Sequence, residues 1–291
     1  MDTFLELHLS LGEGAFWDAA GNRFLFVDIE KGNVYACRED GRGMQQAHVD
    51  SKAGTVVPYA DGSLLVAGER RLFHVDMQEN RVNPFDILIP IPACQTLNDG
   101  KCDCAGNLWI GTETSGNDRC TLYRVDITGR VRAVKGNLGL SNGLVWSKDN
   151  TVFYHIDTPL RRITKYGFEV AEGTILNPET VVEIPASAGL PDGMAIDADG
   201  NLWVAMWGGG SVNCYHSGSG KLLDKIEIPT ACVTSCAFGG AGLDTLYITT
   251  AVGDENKTDE QRQNAGNVFR AFPGVVGVPG NYAAIAVLGK E

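Results

Sequence analysis

Four places along the sequence carry an oxygen-bearing side chain directly followed by glycine. Each lies nine to eleven residues before a short apolar run, as expected for equivalent positions in a repeated unit. The four pairs are Glu13-Gly14, Asp99-Gly100, Asn142-Gly143 and Asp192-Gly193. Carboxylate and amide oxygens are the ligands that hard divalent cations prefer, and a cation relieves the repulsion between crowded carboxylates. If the fold brings the four side chains together, the sequence predicts a divalent cation site.

Asp-Gly and Asn-Gly are also common turn-forming dipeptides, so a turn is the alternative explanation for any single pair. Four pairs at a similar offset favour a shared site over four independent turns. Two carboxylates such as Glu13 and Asp192 also suit glycoside hydrolysis, although ligation in a crowded channel fits them better. Other patterns are weaker. The acidic stretch at 197–201 departs from a calcium-binding loop because its glycine comes too early, and no serine hydrolase motif occurs.

One phrase recurs six times along the chain: a turn with Gly, Asn or Asp, followed by a short apolar strand. Successive copies are 40 to 50 residues apart, which is about the length of one propeller blade. Their first apolar residues are Phe24, Leu64, Leu108, Val152, Leu202 and Leu246. One strand precedes each phrase and another follows it, as four-stranded blades require. The sequence therefore predicts an all-β, six-bladed β-propeller whose first strands line a central channel and carry the four polar side chains to one mouth.

A ring of six blades must be closed, and the start of the chain offers a closing strand. Residues 4–9 alternate between apolar and polar side chains, and we expect them to pair with the last blade so that no sheet edge stays open. The even spacing and the lack of a flexible linker predict a single domain over residues 1–291 rather than two three-bladed domains. The polar segment 254–264 is expected to hold a short surface helix.

Composition excludes several classes of partner. Lys and Arg total 24 against 36 for Asp and Glu, and a net charge of −12 repels a nucleic-acid backbone. No apolar run is long enough to cross a membrane. The acidic first residues do not resemble a signal peptide, and the eight cysteines are scattered, so we expect a cytoplasmic protein with reduced thiols. A small molecule is the expected partner, and nothing in the sequence indicates the oligomeric state.

Taken together, the motifs resemble those of the gluconolactonase, regucalcin and luciferin-regenerating-enzyme family over nearly the whole chain. The matching stretches are 11–18 (with Ala15 where Pro is usual), 97–101, 141–147 and 190–195. The resemblance implies one divalent metal ion in the channel, with Ca²⁺ preferred over Mg²⁺, Mn²⁺ or Zn²⁺. It also implies an enzyme, a sugar lactonase that hydrolyses lactones to aldonic acids by polarising the carbonyl.

The resemblance also implies a role for each site residue. Glu13, Asn142 and Asp192 would be the metal ligands, and Asp192 would also be the catalytic base that activates water. Asn98 and Asp99 would bind the substrate hydroxyls. Relatives commonly carry Arg two residues before this Asn, where the present chain has Thr96 in the substrate-binding position. Thr makes no charged or bidentate contact, so the resemblance does not extend to a preference for gluconolactone. Glu113 stands where Met is frequent.

Two other functions are compatible with the same residues. The first is a non-catalytic, calcium-binding regulatory protein that holds the ion and binds a partner on its blade faces. The second is a metal-dependent phosphotriesterase of related propeller shape, which we would expect to use more carboxylates around the ion. Glu13, Asp99 and Asp192 are the acidic residues at this register, so the sequence leaves this function open.

Overall fold

The computed structural model describes residues 1–286, which form six antiparallel sheets of four strands each. The first two sheets comprise β2 (Gly12–Asp18), β3 (Arg23–Asp28), β4 (Asn33–Arg38), β5 (Gln45–His48); β6 (Ala53–Pro58), β7 (Leu64–Gly68), β8 (Arg71–Asp76), β9 (Arg81–Leu88). The next two comprise β10 (Gln95–Cys102), β11 (Leu108–Thr114), β12 (Cys120–Val125), β13 (Val131–Leu138); β14 (Ser141–Trp146), β15 (Val152–Asp157), β16 (Arg162–Glu169), β17 (Thr174–Glu183). The last two comprise β18 (Leu190–Ile196), β19 (Leu202–Trp207), β20 (Ser211–Tyr215), β21 (Leu222–Glu227); β22 (Val233–Gly239), β23 (Thr245–Thr250), β24 (Val268–Ala271), β1 (Asp2–Leu5).

The six sheets are the blades of a closed ring. The inner strands β2, β6, β10, β14, β18 and β22 contact one another in that order, and β22 contacts β2. The second strand of every blade begins at or within one residue of a recurring apolar phrase. The predicted all-β, six-bladed β-propeller is therefore confirmed.

Closure uses the start of the chain, as predicted, but with a shorter strand. β1 pairs with β24 at the outer edge of the sixth blade and ends at Leu5, whereas the alternating pattern predicted residues 4–9. His8 has a left-handed φ of 50°, which breaks the extended backbone that the alternation would need. The Leu9 N–H then donates to the Gly266 carbonyl over 2.8 Å.

Apolar clusters fill the spaces between successive blades. Trp109 packs with Trp146 and Phe153 between the third and fourth blades, and Trp203 packs with Phe238 between the fifth and sixth. Both tryptophans lie in the core, as their place in the apolar phrases indicates. Burial between stacked sheets fixes the blades, and hence the inner strands, in position.

Two segments lie outside the blades. The short helix α1 (Asp259–Asn264) falls in the segment predicted to hold one and begins at Thr258, which forms a capping box with Gln261. The C-terminal segment, residues 276–286, crosses the channel end at which the inner strands finish. We call this the far end, and the opposite end the mouth. No helix within residues 1–286 is long and apolar enough to cross a bilayer.

Candidate functional site

Each inner strand carries an irregularity in its pairing near the mouth. In β2 the register slips between Glu13 and Phe16, and equivalent slips occur in the other five inner strands. Such bulges bend a strand and redirect its side chains. The glycines allow the strands to approach closely there: a Cβ added at Gly143 would lie 2.5 Å from the carbonyl oxygen of Asp192.

The structure brings the four predicted side chains together at the mouth. Glu13, Asp99, Asn142 and Asp192 form what we call the mouth cluster, and these residues are only 4% to 8% exposed. Their mutual electrostatic effects show that the carboxylates lie close together: Asp99 and Asp192 both raise the pKa of Glu13. The four residues therefore lie together in the structure, as the sequence predicts.

The strand register corrects one detail of the spacing argument. Asn98, rather than Asp99, is level with Glu13, Asn142 and Asp192. In each of these four blades, one inner-strand residue pairs with the first core residue of the second strand. The pairs are Trp17 with Phe24, Cys102 with Leu108, Trp146 with Phe153 and Ile196 with Leu202. Glu13, Asn98, Asn142 and Asp192 each lie four positions before the inner-strand residue of their pair. In the sequence, Asp99 lies only nine residues before its apolar run, whereas the other three residues lie ten or eleven before theirs, and this shorter spacing indicates that Asn98 is the equivalent residue. The bulge directs both Asn98 and Asp99 towards the mouth.

Asp192 is electrostatically linked to the rest of the cluster. Burial and the negative charge of Asp99 raise the pKa of Asp192, whereas the neighbouring Asn142 side chain and Glu13 carboxyl group lower it. Glu13 Oε2 accepts the Gly14 N–H over 2.9 Å. Neighbouring buried carboxyl groups are stable when one carries a proton or when a cation lies beside them.

The Asn142 amide is fixed from behind by a residue that the sequence did not reveal. Asn142 Nδ2 donates to Thr158 Oγ1 over 3.2 Å, and Thr158 Oγ1 donates to the Pro191 carbonyl over 2.8 Å. Asn142 Oδ1 accepts the Gly143 N–H over 3.2 Å, so both ends of the amide are held in place. Thr158 lies in a short 3₁₀ turn after β15, and no sequence motif indicates its role.

Burial dominates the electrostatics of the cluster. Removal from water raises the pKa of Glu13 and of Asp192 well above the usual carboxyl range, and it also raises the pKa of Asp99. The Lys101 ammonium group opposes this effect at Glu13 and Asp99. Lys101 lies in the channel just below the cluster, and its Nζ donates to the Met194 carbonyl over 2.5 Å.

The donor set suits a hard divalent cation. Asp99 Oδ2 is buried and has no hydrogen-bond partner, and Glu13 and Asp192 share a proton or a cation as described above. Their carboxylate oxygens, with the amide oxygen of Asn142, are oxygen ligands of the kind that Ca²⁺ and Mg²⁺ take. Within residues 1–286 no group of three or more His, Cys, Asp or Glu side chains is arranged as a metal site, so an ion here would depend on the amide as well as on carboxylates.

The rim of the mouth holds the remaining candidate residues. Thr96 and Glu113 face each other on β10 and β11, and Thr96 Oγ1 donates to Glu113 Oε1 over 2.9 Å. Asn98 Nδ2 donates to the Ser141 carbonyl over 3.1 Å, which holds it beside Asn142. The negative charge of Glu113 contributes to the raised pKa of Asp192, so Glu113 faces the same mouth.

Several weaker motifs are structural. Asp197 accepts hydrogen bonds from the backbone N–H groups of Asp199 and Asn201, which makes the 197–201 stretch a turn rather than a calcium loop. His155 is buried beside Phe153 and hydrogen-bonds to Ser141 Oγ over 2.8 Å. All eight cysteines are unpaired.

Comparison with known proteins assigns the family. The model of the SMP-30/gluconolactonase/LRE-like region matches residues 11–252. The chain belongs to the SMP-30/gluconolactonase/LRE-like family. This family assignment agrees with the motifs at 97–101, 141–147 and 190–195, which supply most of the mouth cluster.

Relatives within the SMP-30/gluconolactonase/LRE-like family cover nearly the full chain. The pentonolactonase XacC of Haloferax volcanii is 34% identical over 280 residues, covering 92% of this chain and 93% of that protein. The regucalcin of Danio rerio is 31% identical over 275 residues, covering 92% and 93%. A solved luciferin-regenerating enzyme superposes with a TM-score of 0.88 at 29% identity and covers 96% of both chains.

Proposed function

We propose that the chain is a sugar lactonase that hydrolyses an aldonolactone to the corresponding aldonic acid at the mouth cluster. The observation that carries this proposal is the convergence of three buried carboxyl groups, Glu13, Asp99 and Asp192, at one end of the channel, with Asp99 Oδ2 left without a partner. The similarity to a pentonolactonase over almost the whole chain supports the same reaction. We also propose that the six blades form a single domain.

The proposed enzyme is metal-dependent. Glu13, Asn142 and Asp192 would hold one divalent ion, and Ca²⁺ suits three oxygen donors better than Zn²⁺, which more often recruits His or Cys. Such an ion, when bound, supplies polarisation of the lactone carbonyl. The relationship to regucalcin and the buried, unpartnered Asp99 Oδ2 support a cation at this place.

Asp192 is the proposed general base. Its carboxylate accepts a proton from the attacking water, whose oxygen forms the new bond to the carbonyl carbon. The bond between that carbon and the ring oxygen then breaks, and Asp192 returns the proton to the departing oxygen. Asp192 is buried beside Glu13 and Asn142, and this packing limits the orientations that its carboxyl group can take.

Asn98, Asp99 and Thr96 are the proposed substrate-binding residues. The unpartnered Oδ2 of Asp99 is an acceptor for a substrate hydroxyl, and Asn98 is held beside it by Ser141. Thr96 Oγ1 donates to the Glu113 carboxylate at the rim. A rim with a carboxylate accepts hydroxyl hydrogen bonds and repels anions, so we propose that neutral polyhydroxylated lactones are the substrates.

A panel of five- and six-membered aldonolactones tests the proposal. Hydrolysis releases a proton and is followed with a pH indicator in chelated protein and after Ca²⁺, Mg²⁺, Mn²⁺ or Zn²⁺ is added back. We expect turnover that depends on the added cation. Failure to hydrolyse every lactone, in protein shown to be folded and cation-bound, would contradict the lactonase and would favour the calcium-binding regulatory protein.

A further inference from the structure

A cavity of about 340 Å³ lies at the far end of the channel, outside the mouth cluster. Its walls include four aromatic side chains from inner strands of three blades, namely Phe16, Trp17, Trp146 and Phe238. The volume falls within the range of roughly 300–1,000 Å³ that is typical of small-molecule sites. The four aromatic side chains are 4% to 6% exposed and give the walls apolar surface that suits another ring.

The path of the C-terminal segment explains why this cavity is open. Backbone hydrogen bonds join the segment to the fifth blade at Ile196, the sixth at Leu243, the second at Pro58 and the third at Gly106. Tyr282 reaches the first blade through its hydroxyl group. Within residues 1–286 no hydrogen bond joins the segment to the fourth blade, and the cavity is lined by that blade's turn at 147–150.

The charge around the cavity has the opposite sign to that of the whole protein. Lys101 lies at the inner end and Lys148 on the exposed turn, and no Asp or Glu of the described chain lines the walls. Lys148 is exposed, and none of the ion pairs within residues 1–286 includes it. Lys101 also faces Asp99 and Glu13 of the mouth cluster, so the exposed Lys148 is the cation that favours an anion over a neutral or cationic ligand in this cavity.

Three carboxylates at this channel end form hydrogen bonds within their own turns and do not line the cavity. Asp103 accepts hydrogen bonds from the Asn107 side chain and from Trp109 Nε1. Asp197 accepts one from Trp203 Nε1, and Asp18 pairs with Arg23.

We propose that the far-end cavity binds a small aromatic anion, with its ring between the aromatic walls and its carboxylate or sulfonate group towards the lysines. Lys101 separates this cavity from the mouth cluster, so the two sites bind different ligands from opposite ends of one channel. The inference does not depend on lactonase activity.

Fluorescence titration with 8-anilino-1-naphthalenesulfonate, an aromatic anion, tests the proposal against N-phenyl-1-naphthylamine, its uncharged counterpart. We expect saturable binding of one sulfonate per chain, tighter than binding of the amine. Lys148→Glu should weaken sulfonate binding about tenfold, the equivalent of about 1.4 kcal/mol, and leave amine binding nearly unchanged. Lys221→Glu makes the same charge change on an exposed turn away from the cavity and should have little effect.

A second variant tests the location by shape instead of charge. Ala237 lines the cavity and is partly exposed, so Ala237→Leu should fill space and weaken both dyes while circular dichroism shows an intact fold. The proposal is overturned if folded wild-type protein shows no saturable sulfonate binding, if the sulfonate and the amine bind equally, if both lysine variants weaken sulfonate binding alike, or if Ala237→Leu changes neither titration.

Discussion

Acidic side chains occur at both ends of the propeller channel, and their surroundings differ sharply. At the far end Asp18, Asp103 and Asp197 are saturated with donors, including backbone N–H groups, Arg23 and two tryptophan indoles. At the mouth Glu13 and Asp192 face each other, and Asp99 keeps a buried oxygen without a partner. Carboxylates with full hydrogen bonding stabilise a fold, whereas buried carboxylates without enough donors cost stability and are kept where a ligand completes them.

Replacing one acid at the mouth should produce the largest effect on activity. Asp192→Asn removes the proposed base but keeps the shape and the amide or carboxyl contact with Asn142. We expect aldonolactone turnover to fall by about 10²- to 10⁴-fold, the usual contribution of general acid–base catalysis, with no loss of thermal stability. Indicator assays and thermal melts of the same preparation measure both quantities, and near-normal turnover would rule out Asp192 as the base.

Replacing an acid at the far end should have the opposite outcome. Asp197→Ala leaves the buried Trp203 indole N–H and the part-buried N–H groups of Asp199 and Asn201 without their acceptor. We expect the free energy of unfolding in urea to fall by about 3 kcal/mol, because each buried donor left unpaired costs on the order of 1–3 kcal/mol. Turnover per folded molecule should be retained. A large loss of turnover at unchanged stability would contradict the proposal that the acids at the far end stabilise the fold and those at the mouth act in the reaction.

A cation should stabilise the mouth in a pH-dependent way. The pKa of Glu13 and of Asp192 is raised in the folded chain, so these groups bind protons more readily folded than unfolded. In chelator, their contribution to stability is therefore present at low pH and is lost as pH rises above the ordinary carboxyl value of 4.5. Ca²⁺ at a hundred times its dissociation constant should restore about 2.7 kcal/mol at neutral pH.

Glu13→Gln separates this effect from general salt effects, since it removes one of the two facing carboxylates. Its stability should fall less with rising pH in chelator, and Ca²⁺ should raise its melting temperature less than that of the wild type. An equal Ca²⁺ response in both proteins would contradict a cation at the mouth cluster.

The repeat and most of the mouth cluster could be predicted from the sequence, because short local patterns encode them. Turn chemistry and alternating apolar residues recur in each blade, and Glu13, Asn142 and Asp192 stand beside glycines that the bulges require. Thr158 and Lys101 were not found, because their roles arise from contacts across blades that no local pattern encodes. The C-terminal segment was missed for a similar reason: its hydrogen bonds run to five different blades and leave no period in its own sequence.

The smallest expected effect concerns the rim of the mouth and the choice of substrate. Glu113→Gln keeps a side chain that Thr96 can hydrogen-bond but removes the charge that faces Asp192. For a lactone that carries a free carboxylate, kcat/KM should rise about tenfold relative to that for a neutral aldonolactone, the equivalent of about 1.4 kcal/mol of relieved repulsion. Glu179→Gln makes the same change on the outer strand β17, beside Lys165, and should not alter the ratio. An unchanged ratio in Glu113→Gln would mean that repulsion at this rim does not select the substrate, and that the shape of the mouth does.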